Sequence, residues 1–585
     1  MPLSKLYGDI YYSRDGGLAE TREVFLCGCD LPAAWRGRSR FVVAELGFGA
    51  GLNTAALINL WRETGPATGR LHIFSVEAHP LPAQDAARAL GHWPELSDVA
   101  AAMLAQWPGA SQGFHRLELP QWRVTLDVAV MEALDALSRW NGRADAWFLD
   151  GFAPSRNPAM WRAEVMHAVA AHSAPGARLA TYTVAGAVRR DLTNAGFALE
   201  RLPGFGKKRE RLAGRLPGCR PCETPPPRVA IIGAGIAGAA LSRAFVAFGV
   251  EPLIFERERI GAGASGGPAA LVTPRLDAGL AAPAALFAET FRRAVQLYLQ
   301  EPGAVISKGA LQLQVTPKDS ARFGKIASSA LFDDGAMTLV DGAGMTRRLG
   351  EAAPPGLDVR AACVVDPGVL LPSWTRDIVR ADIAAMEKTE GGWSLRNARG
   401  EPLCEVDVVC LAAGQDCLRL APQLPLTWVR GQATCVNGVA VSEAVVFGDY
   451  VIPTRAGLLF GATHDRGDND DAPREEDRRR NLAGLAATLP GLAARLADSP
   501  MAARTGVRVA TVDYLPVAGA TGAEPGLFIL SGLGSRGFAL APLLAEHIAA
   551  LALGAPSPLR QDLAQLVDPG RFAIRAARRS HVATP

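Results

Sequence analysis

Charge bias is the first thing this sequence lacks: 61 Lys and Arg stand against 58 Asp and Glu, a formal net charge of +3. A balance that close argues neither for nor against a nucleic-acid partner, and any basic surface must be local. Long apolar runs are missing as well. The opening MPLSKLYGDIYYS has no charged segment followed by an apolar one, and the most apolar later stretch is interrupted by Arg536 and Glu546, so neither a signal peptide nor a membrane span is expected. The reading is a soluble, cytoplasmic monomer with no obligate protein partner. Cysteine is scarce, nine in 585 residues, an odd number spread widely, which fits reduced thiols better than a disulfide scaffold. Cys219 and Cys222 form a CxxC with no second ligand pair at metal spacing, so no metal is expected. No fixed-period repeat and no long low-complexity tract is present, which excludes a solenoid.

What is there is a chain too long for one ordinary core. The Pro-rich stretch LPGCRPCETPPPR, residues 216–228, cannot continue a helix and reads as a connector. It sets boundaries at 1–216 and 228–585, with 217–227 as linker. On each side an apolar run enters a Gly-rich loop and then an Ala-rich helix: FVVAELGFGAGLNTAALINLW before the linker, RVAIIGAGIAGAALSRAFVAFG after it. Both are the opening unit of a doubly wound α/β sheet, which presents its loop to a phosphate or nucleoside, so two nucleotide-type sites are implied. The charge run GDNDDAPREEDRRR, residues 467–480, reads as a solvated loop and helix start.

In the second half Gly233, Gly235 and Gly238 form GxGxxG directly after a strand, and Glu256 ends the next one. The glycines allow a tight turn, backbone approach to a pyrophosphate and close helix packing; Glu256 can accept from a ribose hydroxyl and disfavours a 2'-phosphate. The motif alone does not separate FAD from NAD. With GAGASGGPAALVTP, VVCLAAG, VDYLPVAG and LFILSGLGSRGFALAPLLAEHIA, however, residues 228–553 resemble the glycine oxidase and D-amino-acid oxidase family of flavoproteins. That resemblance implies an FAD-binding Rossmann domain with an inserted α+β substrate domain. It places Ala264, Ser265 and Gly266 along the flavin, Ala413 and Gly414 near the dinucleotide, and Gly534, Ser535, Arg536 and Gly537 by the pyrimidine end. Such enzymes oxidise a C–N bond, and the resulting imine hydrolyses. A substrate carboxylate would call for an arginine fork, with Arg430, Arg455 and Arg536 as candidates.

In the first half, Glu45 precedes Gly47, Gly49, Gly51 and Asn53 in the arrangement of an S-adenosylmethionine loop, with an NAD reading as the competitor. Glu77 at the next strand tip suits ribose hydroxyls, and Asp127 is placed near the adenine. Asp150 ends the fourth strand, where a carboxylate can accept the proton an amine must lose before attacking a methyl; the alternative is a helix cap. Phe152 and Trp161 can flank a planar base. Lys207, Lys208, Arg209, Arg211 and Arg215 form the densest basic cluster outside the mixed-charge run, suited to phosphates if it is not simply a solvated edge, with Phe205 beside it for base stacking.

The segments GDIYYSRDGGLAETREVFL, DGFAPSRNP and TYTVAGAVRRDLTNAGF resemble the methyltransferase half of the bacterial bifunctional enzymes that make 5-methylaminomethyl-2-thiouridine in tRNA. The order of halves also matches, so the resemblance covers nearly the whole chain. It implies a class I Rossmann-like methyltransferase domain ahead of the flavoprotein domain, FAD and S-adenosylmethionine as cofactors, and the wobble uridine 34 of tRNA as substrate. The flavin domain would remove carboxymethyl from a 5-carboxymethylaminomethyl group, releasing glyoxylate, and the first domain would methylate the amine left behind. Two rivals stand beside it. One is a glycine or sarcosine oxidase fused to an unrelated methyltransferase; the other is an N-terminal half that only binds tRNA and delivers it.

Overall fold

The computed structural model describes residues 3–12, 16–206, 208–220, 225–522 and 524–582. The chain divides into two compact units: Met1–Pro225 with Pro556–Gln561, and Pro226–Ala555 with Asp562–Pro585. The segment Pro556–Gln561, which sequence assigns to the second domain, packs with the first unit, where Ser557 and Leu559 are buried.

In the first unit a run of apolar residues buried on both faces makes a central parallel strand. Arg40–Leu46 is that strand, buried from Phe41 onward. Its side chains alternate between two cores: Phe41 and Val43 join Trp35, Trp61 and Ile73, while Val42 and Ala44 join Phe74, Trp140 and Trp147. The strand order is Gly113–Leu119, Val124–Val130, Arg70–Val76, Arg40–Leu46, Ala144–Leu149, Ser173–Thr181, Glu210–Arg215, Ala198–Pro203. The strands from Val124–Val130 to Ser173–Thr181 are parallel and those at the edges antiparallel. The chain leaves Arg40–Leu46 toward one side and returns later on the other, and that reversal opens a crevice at the strands' carboxyl ends.

The second unit repeats the device. Val229–Ile232 is wholly buried and parallel to both Leu253–Glu256 and Val408–Leu411. The sheet order is Ile378–Arg380, Leu253–Glu256, Val229–Ile232, Val408–Leu411, Leu527–Ser531, Val517–Ala520. Between these strands the chain builds a small sheet of Ala385–Thr389, Gly392–Arg396 and Pro402–Val406 and a ten-stranded mixed sheet. Leu426–Asn437 and Met501–Thr511 pair in antiparallel register through the latter. Helix Glu475–Thr488 covers one of its faces with Asp477, Asn481 and Leu485 buried. The charge run is therefore not wholly solvated, because Asp477 turns inward to an arginine. Both units are α/β, and the second carries the inserted α+β region expected of it. Among the described residues no helix is long and apolar enough to cross a membrane.

Candidate active sites

The crevice of the first unit holds a cavity of about 340 Å³ lined by Gly47, Phe48, Gly49, Asn53, Glu77, Asp150 and Phe152. Gly47 has φ +90, and a Cβ there would lie 2.9 Å from Gly151 Cα, so a side chain would drive apart the two strand tips that carry the site. Gly51 lies behind the loop, where a Cβ would meet Met103 and Trp107 at 3.1 Å. Both Glu77 oxygens hold loop backbone, one accepting from Gly49 N and the other from His79 N, each at 2.9 Å. Burial raises the Glu77 carboxyl above its ordinary range.

Asp150 sits at the tip of Ala144–Leu149. Asn53 Nδ2 donates to Asp150 Oδ2 at 2.7 Å, and Thr21 Oγ1 donates to Asn53 Oδ1 at 2.7 Å, which fixes the amide's orientation. Asn53 thus turns to the carboxylate as well as lining the cavity. Burial pushes Asp150 up to about 6, against the hydrogen bonds from Asn53 and Gly151 N that favour its charged form. Phe152 stacks on Tyr7 at 4.7 Å between centroids and meets Tyr11 edge-on at 5.2 Å.

Two carboxylates expected here lie elsewhere. Asp127 is fully buried in mid-strand, held by Arg116 Nε and Nη2 at 2.7 Å each, with His72 Nε2 at 3.0 Å. Burial opposes its charge, and Arg116 and His72 overcome that and keep its carboxyl well below the usual range. It is a structural ion pair between neighbouring strands; Met131 and Glu132, past the strand end, line the cavity instead. Glu45 is 1% exposed and lies beneath the loop, accepting from Ser75 Oγ at 2.6 Å and Thr54 Oγ1 at 2.9 Å. Burial pushes it up to about 8, against the hydrogen bonds from Ser75 and Thr54.

Among the described residues the basic cluster does not form one surface. Arg211 is buried, donating to Glu23 at 2.8 Å and to Pro203 O at 3.1 Å. Lys208 pairs with Glu20 at 2.8 Å, lies 4.0 Å over the Tyr182 ring and lines the first cavity. Arg209 and Arg215 are exposed but flank opposite ends of Glu210–Arg215, about 20 Å apart at strand spacing. Lys207 and Cys222 lie outside the described residues. Trp161 is a core residue whose Nε1 donates to Phe152 O at 2.8 Å, and Phe205 packs against the core.

The second unit holds a cavity of about 700 Å³ over its Gly-rich loop, lined by Gly233, Gly235, Glu256, Ser265, Ala413, Gly414 and the turn Gly534–Gly537. Ala264 lines it too. At Gly233, φ +104, a Cβ would lie 2.4 Å from Ala412 O, so only glycine lets the two strand ends close beneath a bound group. Glu256 Oε2 accepts from Ala234 N at 2.9 Å, and Ser265 Oγ accepts from Ile236 N at 3.0 Å. Gly238 and Gly266 do not line the cavity. Their Cβ positions fall 1.8 Å from Gly233 O and 2.0 Å from Gly261 O, so they pack backbone on backbone and support the loops.

Of the three arginines proposed for a carboxylate, Arg536 alone reaches this cavity. It donates to Thr273 O and Oγ1 and to Pro274 O at 3.2–3.3 Å, and burial followed by nearby Arg275 brings it down to about 10. Arg430 is fully buried on the opposite face of Leu426–Asn437, ion-paired with Asp477 and donating to Asp470 O at 2.6 Å and Ala472 O at 2.7 Å. Arg455 pairs with Asp366 at 2.5 Å, outside the cavity lining. Sequence reasoning missed Arg508. It lines the cavity, donates to Thr463 O at 3.0 Å, and among the described residues has no carboxylate partner; its Nε is buried without a hydrogen bond. Burial lowers its affinity for its proton. Tyr450 lines the same space, and burial pushes its phenol up to about 12, so it stays a donor.

Residues 94–217 match the family described as S-adenosyl-L-methionine-dependent methyltransferase, and residues 228–551 match that described as FAD dependent oxidoreductase. Over 584 residues the chain is 54% identical to the tRNA 5-methylaminomethyl-2-thiouridine biosynthesis bifunctional protein MnmC of Caulobacter sp. (strain K31), covering 99% of this chain and 97% of that one. The chain belongs to the MnmC family. The homonymous protein of Maricaulis maris (strain MCS10) is 40% identical over 99% of this chain and 96% of its own. Among solved structures, iminodiacetate oxidase from Chelativorans sp. BNC1 matches at a TM-score of 0.50 with 22% identity, covering 56% of this chain and 96% of its own, a likeness of fold. This member of the MnmC family thus joins a methyltransferase domain to an FAD-dependent oxidoreductase domain, and the loop glycines described above fit the dinucleotide and the methyl donor those families bind.

Proposed function

We propose that this protein carries out two successive steps on the wobble uridine 34 of tRNA. The first turns 5-carboxymethylaminomethyl-2-thiouridine into 5-aminomethyl-2-thiouridine, and the second methylates that amine to give 5-methylaminomethyl-2-thiouridine. The observation that carries the reading is the pairing of two nucleotide-type cavities in one chain, one with a raised carboxyl at its strand tip and the other with a half-buried arginine that forms no ion pair among the described residues. When bound, FAD accepts two electrons from the C–N bond and S-adenosylmethionine supplies the methyl group.

The rest falls to the chain's own side chains. Arg508, its Nε free to donate, holds the substrate carboxylate with Tyr450 as a second donor, which fixes the methylene between carboxylate and amine in one orientation. Ala264, Ser265 and Gly414 line the space beside it, and Gly233 lets backbone close on the diphosphate. In the first cavity Asp150, aimed by Asn53, takes the proton that the ammonium must lose before attack. Glu77 lines the same cavity, where it would accept from ribose hydroxyls, and the Phe152–Tyr7 stack offers a flat surface to the base.

The test is nucleoside mass analysis of tRNA carrying the carboxymethylaminomethyl group after incubation with the flavin-loaded protein. Aminomethyl product without the methyl donor, and methylaminomethyl product with it, are expected. An unchanged nucleoside with brisk turnover of free glycine would replace this reading with the small-amine oxidase.

A further inference from the structure

In the basic cluster Arg211 is buried and Lys208 is ion-paired with Glu20, which leaves Arg209 as the exposed cation among residues 208–211 for which no ion pair is seen. An unused feature lies beside the flavin cavity. Tyr514 is 57% exposed and Val512 is 63% exposed, in the turn that follows Met501–Thr511. Tyr514 takes φ +59, a left-handed conformation that a bulky residue adopts at a cost. Its ring is not buried in return, so the fold gives no reason for tyrosine there. The Arg466 guanidinium lies 4.6 Å over the ring and donates to the phenol oxygen and to Thr511 O. Among the described residues Arg466 has no carboxylate partner, so its charge is available to an outside anion.

The turn is held firmly. Thr511 Oγ1 donates to Asp513 Oδ1 at 2.9 Å and Leu515 O at 2.7 Å, and Asp513 in turn receives Arg571 Nε at 3.0 Å and a bond from Arg575. The helix Arg571–Val582 that supplies this grip contains no acidic residue. Register places the feature relative to the cavity: Val429 pairs with Arg466 on one side and with Arg508 on the other. Residues opposite one another in a sheet project to the same face, so Arg466 lies about 10 Å from cavity-lining Arg508 on the cavity's own side. His464 lines the cavity and lies under the influence of both arginines.

We propose that Tyr514, backed by Arg466, is a stacking platform at the rim of the flavin cavity that receives a nucleobase of the tRNA anticodon loop. An exposed aromatic ring takes the face of an unstacked base, and the arginine beside it meets the adjoining phosphate. This rests on the tRNA reading. It makes Tyr514 a residue for recognition of RNA and not for the oxidation itself.

The experiment uses the full-length, flavin-loaded chain and measures the oxidative step on tRNA carrying the carboxymethylaminomethyl group. Tyr514→Gly suits the left-handed backbone and removes the ring; it is expected to raise KM about tenfold with kcat and bound flavin unchanged. Tyr514→Trp should keep the original KM. Arg466→Gln, which keeps the grip of Arg571 on Asp513, should raise KM less and flatten its dependence on salt. Wild-type KM in the Tyr514→Gly variant overturns the platform, as does a Tyr514→Trp chain as impaired as Tyr514→Gly. If Tyr514→Gly loses flavin, Arg466→Gln decides, and an unchanged KM with an unchanged salt dependence overturns the proposal. A wild-type chain inert on this tRNA removes the tRNA reading and the platform with it; an active wild type with indifferent variants removes the platform alone.

Discussion

The two cavities open from the same backbone device and differ in the group whose charge burial perturbs. Each lies over a Gly-rich loop that leaves a buried parallel strand, and in each a left-handed glycine lets two strand tips meet closely. In the first, burial raises an acid, Asp150; in the second, burial lowers a base, Arg508. In both, taking a charge out of water disfavours the charged form. What differs is the work: methylation needs a group that can take a proton near neutral pH, whereas oxidation next to a carboxylate needs a cation that stays put. On the proposed reading the loop receives the nucleotide and the group at its edge suits the reaction.

The comparison breaks most sharply at Asp150. Asp150→Asn should lower methyl transfer about 10²- to 10⁴-fold in single-turnover assays, the usual worth of a general base, and leave oxidation as it was. The counterpart, Arg508→Met, should cut kcat/KM for oxidation about a hundredfold and spare methylation, as expected for losing charge-assisted hydrogen bonds. Arg430→Met offers the control: it should destabilise the fold by about 3–5 kcal/mol in denaturant titrations by stranding Asp477, with no selective rise in KM.

Smaller effects refine the contrast. Gly233→Ala should weaken flavin retention about tenfold, read from the visible spectrum after dilution, because its Cβ meets Ala412 O at 2.4 Å. Methyl transfer should fall roughly tenfold per pH unit below about 6, where Asp150 is protonated, while oxidation shows no such break. A carboxyl raised in the folded state contributes stability that is present below its ordinary value and lost as pH rises through its folded one. Asp150→Asn should therefore melt above the wild type at slightly alkaline pH, and the gap should close in acid.

The sequence made the two loops and their strands readable because GxGxxG and the GFGAG run need glycine for backbone reasons, and such reasons are local. It made Asp150 readable because a strand-tip position follows from counting along one strand. Its errors were non-local. Asp127 and Glu45 sit on the right strands, but Arg116 and Ser75, each on the adjacent strand, claim them. Arg430 and Arg508 are two arginines on paired strands, and period-two alternation sends one under helix Glu475–Thr488 and the other into the cavity. No pattern in either segment says which face the helix will cover. Tyr7 and Tyr11 left a faint signal, since the chain has seven tyrosines and three fall within residues 7–12.

The most direct test of the division of labour is nucleoside analysis of tRNA treated with Asp150→Asn and with Arg508→Met, alone and mixed, with S-adenosylmethionine present. The account predicts aminomethyl nucleoside from the first, untouched carboxymethylaminomethyl nucleoside from the second, and methylaminomethyl nucleoside from the mixture. Fully methylated product from Asp150→Asn alone would contradict it.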